Sequence, residues 1–119
     1  MIRFEVIGKP AQQGSKGVNP KTGRVFESSS KTLRPWRQDV IDAARPFAEA
    51  LGPITEAVSV LVEFRFPLPK ADPHRIRHIT TPDGDKLARA LLDSLVLAGL
   101  LQDDRLVWRL VVKKLYARG

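Results

Sequence analysis

Asp83-Gly84-Asp85 and Asp103-Asp104, with Asp93 between them, are the residues of this 119-residue chain best suited to chemistry. Short carboxylates are hard oxygen donors. Three or four gathered at one point suit Mg²⁺, which takes near-octahedral oxygen coordination and keeps several waters. One ion there, or two about 3.5–4 Å apart, would polarise a phosphodiester and lower the pKa of an attacking water. Cysteine is absent, which removes a thiolate nucleophile, a disulfide framework and a Cys-based zinc site. His74 and His78 are not interleaved with the carboxylates, which argues against zinc and reads them as solvated loop residues. No nucleophile elbow supports a Ser-His-Asp hydrolase, and no Gly-rich phosphate loop occurs.

Each aspartate alone has a plainer explanation. Asp at a helix start is a common N-cap and dipole partner, and Asp103-Asp104 suits a turn. Taken together beside a basic loop, in a chain of net charge +7, the carboxylates need a local reason to assemble, and a divalent cation supplies one. Asp85, Arg89 and Asp93 follow one another at i, i+4 steps, a polar stripe on a helix.

The elements that must position these residues follow from periodicity. Residues 2–7 alternate Ile2, Phe4 and Val6 against Arg3 and Glu5, which predicts a strand with one buried face. A polar loop over 10–22 leads to a turn at 19–23, and Arg24-Val25-Phe26 returns to make a basic hairpin. Leu33, Trp36, Val40, Ala44, Phe47 and Leu51 predict a helix started by Ser30 or Thr32 and stopped at Gly52-Pro53. Pro46 inside it predicts a kink or a shortened helix. Val58, Val60, Val62, Phe64 and Phe66 predict a strand, with Leu61 suggesting partial burial on its other side. A proline-rich basic connection over 67–82 leads to a second helix over 84–98, ended by Gly99. Residues 106–116 alternate again, with Leu106, Trp108, Leu110 and Val112 on one face, so Trp36 and Trp108 both read as core. The expected architecture is α+β: one small domain over 1–119 with a mixed sheet of about three to four strands packed against two helices. If the last strand packs beside the second helix, Asp103-Asp104 can return towards Asp83-Gly84-Asp85.

Twenty Lys+Arg against thirteen Asp+Glu point to a polyanionic partner, nucleic acid or an acidic membrane surface. Charges interrupt the apolar stretches within 91–101 and 106–112 long before bilayer length, so no membrane span is expected. The alternating N-terminus does not read as a secretory signal, and the expected setting is cytoplasmic. Lys16, Lys70, Arg75 and Arg77 either solvate a surface or contact phosphates, where each neutralised phosphate releases counterions.

The run His78-Ile79-Thr80-Thr81-Pro82-Asp83-Gly84-Asp85-Lys86-Leu87, followed by Arg89, Leu92-Asp93-Ser94-Leu95, Gly99-Leu100 and Asp103-Asp104, resembles the RusA family of Holliday junction resolvases. Phe4-Glu5-Val6-Ile7-Gly8-Lys9-Pro10 and Gln13-Gly14-Ser15-Lys16 resemble the opening of many members. The resemblance covers nearly the whole chain, and its Pro-Asp-x-Asp followed by Asp-Asp is the more specific part. It implies a small α+β homodimer that binds four-way DNA junctions and cuts them with Mg²⁺ or Mn²⁺, two identical sites serving two symmetry-related strands. It carries metal-binding and catalytic roles to Asp83, Asp85 and Asp104; apart from the resemblance, Asp103 is expected to assist them from behind the metal ligands. Lys86 stands where the family often has Asn, and Arg89 where it often has Lys. Arg89 keeps the positive charge for stabilising the phosphate but changes its geometry. A non-catalytic basic nucleic-acid-binding module, or a nuclease for other branched DNA, would share many of these features.

Overall fold

The structure, a computed structural model, describes residues 1–13, 16–27 and 30–117, of which 16–18, 25–27 and 30 are described as backbone. Strands β1 (Lys16–Val18) and β2 (Val25–Glu27) form the expected antiparallel hairpin, Lys16 opposite Glu27. Its turn closes through Asn19 N–H to Arg24 O at 2.8 Å and Gly23 N–H to Asn19 O at 2.7 Å, with Gly23 at φ +70. That left-handed conformation is one glycine adopts without steric cost.

Helix α1 (Ser30–Leu51) buries Leu33, Trp36, Val40 and Ala44 and half-buries Phe47, as its spacing predicts, but Leu51, the last residue of the expected stripe, is exposed at the helix end. Ser30 opens the helix, but its side chain lies outside the described residues, and Thr32 sits within the first turn rather than before it. Pro46 does not shorten α1. The helix runs five residues past it, because Phe47 and Ala48 beyond the missing donor pack against the core. Helix α2 (Gly84–Leu97) buries Leu87, Ala88, Ala90, Leu91, Leu92 and Leu95, and lies against α1. Ser94, also buried, satisfies its hydroxyl by donating to Ala90 O at 2.8 Å.

Strand β3 (Val58–Pro67) pairs in parallel with β4 (Val107–Ala117), and α2 lies in the crossover between them. A parallel pair needs such a long connection, and a helix is its usual content. Val60 faces Leu110, Val62 faces Val112, and Phe64 faces Lys114. Before β3 begins, Ile54 is stitched to the end of the α2 connection: its N–H donates to Leu100 O at 2.8 Å, and Gln102 N–H donates to Ile54 O at 3.1 Å. The core forms where α1, α2 and this ribbon meet, around Trp36, Val40, Phe64, Leu87, Leu91 and Leu101.

The α+β class and two-helix domain stand, but the sheet is smaller than expected. Among the described residues there are two separate two-stranded sheets instead of one mixed sheet of three to four strands. Residues 2–7 form no strand. Ile2, Phe4 and Val6 are half-buried against the core while their neighbours are exposed, so the alternation reports burial without a hydrogen-bonded partner. Leu61 is 61% exposed, not partly buried on the second face. Trp108 is likewise not core, at 70% exposed, whereas Trp36 is, at 4%. The register supplies the reason: Val58 pairs with Val107 and Ser59 with Arg109, leaving Trp108 as the extra residue of a bulge. A bulge resets the alternation, so Val107 takes the inward place and Trp108 swings out.

Leu87→Ala should lower the unfolding free energy by about 2–5 kcal/mol in urea denaturation, the cost of a cavity at a fully buried leucine. Trp108→Ala should stay within about 0.5 kcal/mol, as for exposed positions generally.

Candidate active site

A cavity of about 670 Å³ opens between α2 and β4. Asp85 and Arg89 reach it from the first turns of α2, Asp104 from a short 3₁₀ turn (Asp104–Leu106), and Leu110, Val112 and Lys114 from the inward face of β4. His78 reaches it from the basic connection. The sequence-distant carboxylates Asp85 and Asp104 therefore share one concavity, because α2 packs on β4 and the 3₁₀ turn abuts α2.

Asp83 stands apart from the cavity lining. It is the N-cap residue of α2, with extended backbone (φ −73, ψ 137), yet its side chain makes no cap hydrogen bond. Its carboxylate lies 3.6 Å from Lys86 Nζ, and its N–H donates to Gln12 Oε1 at 2.6 Å. A second tie to the N-terminal segment is Gln13 N–H to Lys86 O at 3.2 Å. Lys86 thus offsets the Asp83 charge in the half-exposed surface at the helix start.

Asp103 caps the 3₁₀ turn, accepting from Arg105 N–H at 3.0 Å. That bond, and one from Asp104, hold its carboxyl below the usual carboxylate range. Asp104 is pushed the other way, first by its hydrogen bond with Asp103, then by desolvation and by the negative charges of Asp103 and Asp93. Asp104 is therefore the weaker acid of a pair that titrates together. Asp93 itself meets Arg37 of α1 at 3.6 Å, so the expected Asp85, Arg89, Asp93 stripe splits: its first two members face the cavity and the third bridges the helices.

His78 is not a solvated loop residue. Its ring lies 4.4 Å from that of Phe66 and 5.1 Å from that of Tyr116, and burial, followed by the charge of Lys114, lowers its pKa. His74 is exposed, as expected.

Among the described residues no three His, Cys, Asp or Glu side chains converge into a group able to hold a metal ion by themselves. The donor set nonetheless fits Mg²⁺, which is commonly bound by one or two carboxylates, its own waters and a substrate phosphate instead of an all-protein cage. Asp85 and Asp104 supply two such carboxylates on one cavity.

Of the basic residues singled out for DNA, Lys70 and Arg77 are exposed, and Arg75 pairs with Asp72 at 3.3 Å. Arg77 lines a second cavity of about 400 Å³ together with Arg65 and Tyr116. Lys16 lies in β1, and its side chain is outside the described residues. Sequence reasoning passed over Gln12 and Lys114. Lys114 carried a signal: it falls on the inward register of β4, where a charged side chain needs a partner. Gln12 carried none, since a glutamine in a polar loop is unremarkable until the fold brings it to Asp83.

A protein-family model described as endodeoxyribonuclease RusA matches residues 8–119. No curated protein matches the chain. No helix among the described residues is long and apolar enough to cross a membrane.

The neighbouring Asp103 and Asp104 make a titration prediction. Asp104 in the native chain should deprotonate above the ordinary carboxylate range, and Asp103→Asn should move its midpoint down, because the carboxylate hydrogen bond and the negative charge of Asp103 are both gone. Carboxyl-carbon NMR titration without metal reads both midpoints. An Asp104 midpoint unmoved by the substitution would show that Asp103 is not the cause.

Proposed function

The chain belongs to the endodeoxyribonuclease RusA family, and from that premise we propose that it is a Mg²⁺-dependent, structure-selective endonuclease that resolves four-way DNA junctions as a homodimer. It is a DNA-hydrolysing enzyme by family; the substrate shape, metal and assembly are the proposal. The observation that supports it most is the meeting of Asp85, Arg89 and Asp104 on one cavity beside a basic connection.

In this reading Asp85 and Asp104 would hold the cation, with Asp83, at the N-cap of the same helix, as a third carboxylate. The cation supplies a Lewis acid and a water of lowered pKa. Asp103, which caps the 3₁₀ turn by accepting from Arg105 N–H, fixes the turn that presents Asp104, whose deprotonated carboxylate would be the ligand. Arg89, one turn after Asp85 on the same helix face, stabilises charge growing on the scissile phosphate. His78, Leu110 and Val112 line the same cavity, giving it an imidazole and an apolar wall beside the carboxylates. Lys16, Lys70, Arg75 and Arg77 track the DNA backbone, so affinity falls steeply with salt. A two-fold dimer sets two such cavities against the two strands to be cut, over the single domain of 1–119.

The test uses a synthetic four-way junction, with linear duplex and flap DNA for comparison, in Mg²⁺ and in EDTA. The native chain should cut the junction in Mg²⁺ only. Asp85→Asn should bind the junction in EDTA as the native chain does while cutting slows by roughly 10²-fold or more, the scale of losing one electrostatic stabiliser. Cutting at the native rate would remove Asp85 from the mechanism, binding without cutting in any divalent metal would favour a non-catalytic module, and preference for flaps would redirect the substrate.

A further inference from the structure

Segment 80–83 is tied down from both ends of the chain. Lys114 Nζ donates to Thr80 O at 2.7 Å and to Pro82 O at 2.9 Å, while Gln12 Oε1 accepts the Asp83 N–H at 2.6 Å. Three long-range hydrogen bonds on four residues of irregular backbone are a concentrated investment, since loops rarely hold their conformation without such partners. The segment leads directly into Asp83 and Asp85. Strand β4, which carries Lys114, begins immediately after the turn that carries Asp104. Lys114 therefore joins the two halves of the carboxylate site: the strand that follows one half and the loop that precedes the other.

Lys114 sits half-buried on the inward face of β4, opposite Phe64 in register, and lines the cavity. A lysine that served only to meet a DNA phosphate would extend its ammonium into solvent. This one spends two of its three N–H donors on backbone carbonyls, and charge-assisted bonds of that kind are about twice as strong as neutral ones.

We propose that Lys114 is a positioning residue: by clamping 80–83 onto β4 it sets the separation between Asp83 and Asp85 on one side and Asp104 on the other, and so the affinity for the divalent cation. The inference rests on the reading of these aspartates as the metal-holding group. Groups that orient metal ligands typically cost 10–100-fold in metal affinity when removed.

Two full-length variants test it. Lys114→Met keeps the apolar stem and removes the donors; Lys114→Arg keeps the charge and the donors. In Lys114→Met the Mg²⁺ concentration for half-maximal junction cutting should rise about 10-fold or more, while junction affinity measured in EDTA stays at the native value. Amide hydrogen exchange over 79–86, followed without metal by mass spectrometry, should quicken there and remain native in α1. Lys114→Arg should restore most of the Mg²⁺ response. Native exchange and native Mg²⁺ demand in Lys114→Met would overturn the clamp, and so would exchange that quickens equally throughout α1, which would mark a general loss of stability. If the native chain cuts no junction in any divalent metal, the catalytic reading fails separately, and exchange over 79–86 alone decides whether Lys114 holds this segment.

Discussion

Holding Asp104 beside the start of α2 runs against its electrostatics. Asp103 and Asp93 already surround it with negative charge, and its raised pKa records the cost. What keeps it there is apolar. Leu87, Leu91, Leu92 and Leu95 bury one face of α2 between α1 and the β3–β4 ribbon, and each buried leucine contributes about 1.5–3 kcal/mol. Exposed like charges oppose this by amounts nearer those of surface ion pairs, about 0–1 kcal/mol. The hydrophobic seam therefore outweighs that repulsion and keeps the acids side by side.

This seam also explains why a chain of net charge +7 can carry an acidic concavity. Arg37 answers Asp93, Lys86 answers Asp83 and Arg105 answers Asp103, each at 3.5–3.6 Å. Asp85 and Asp104 are the acids turned into the cavity, with Arg89 and Lys114 at its walls. Positive and negative groups alternate around one recess, a pattern suited to an anion bridged by a cation and poorly suited to a plain phosphate groove.

Much of this was legible in the amino-acid order, and the parts that were not have physical reasons. Helix α2 was legible because six apolar residues and Gly99, at φ +81, agree on one period and one stop. The hairpin was legible because its turn chemistry is local. The return of Asp104 to Asp85 was legible only as a condition, since parallel pairing of β3 with β4 depends on contacts far apart in the chain. The strand expected at 2–7 failed because alternation reports which side chains are buried and is silent about what the backbone bonds to. Trp108 failed for a subtler reason: one extra residue at the bulge shifts the phase of the strand, and no composition signal marks it. Gln12 and Lys114 act through one and two hydrogen bonds to backbone atoms respectively, which leave no periodic trace at all.

The stitch between Ile54 and the Leu100-Leu101-Gln102 stretch has a bearing on how such a chain can diverge. It fixes the point from which the backbone counts forward to Asp104 and into β4, so adding or deleting one residue after Gln102 would slide the acid off its recess and invert the pleat beyond it. The hairpin tip at Lys21-Thr22 carries no such count and can absorb length changes freely. Relatives that differ in size should therefore keep the interval from this stitch to the second acid pair constant and place their insertions elsewhere.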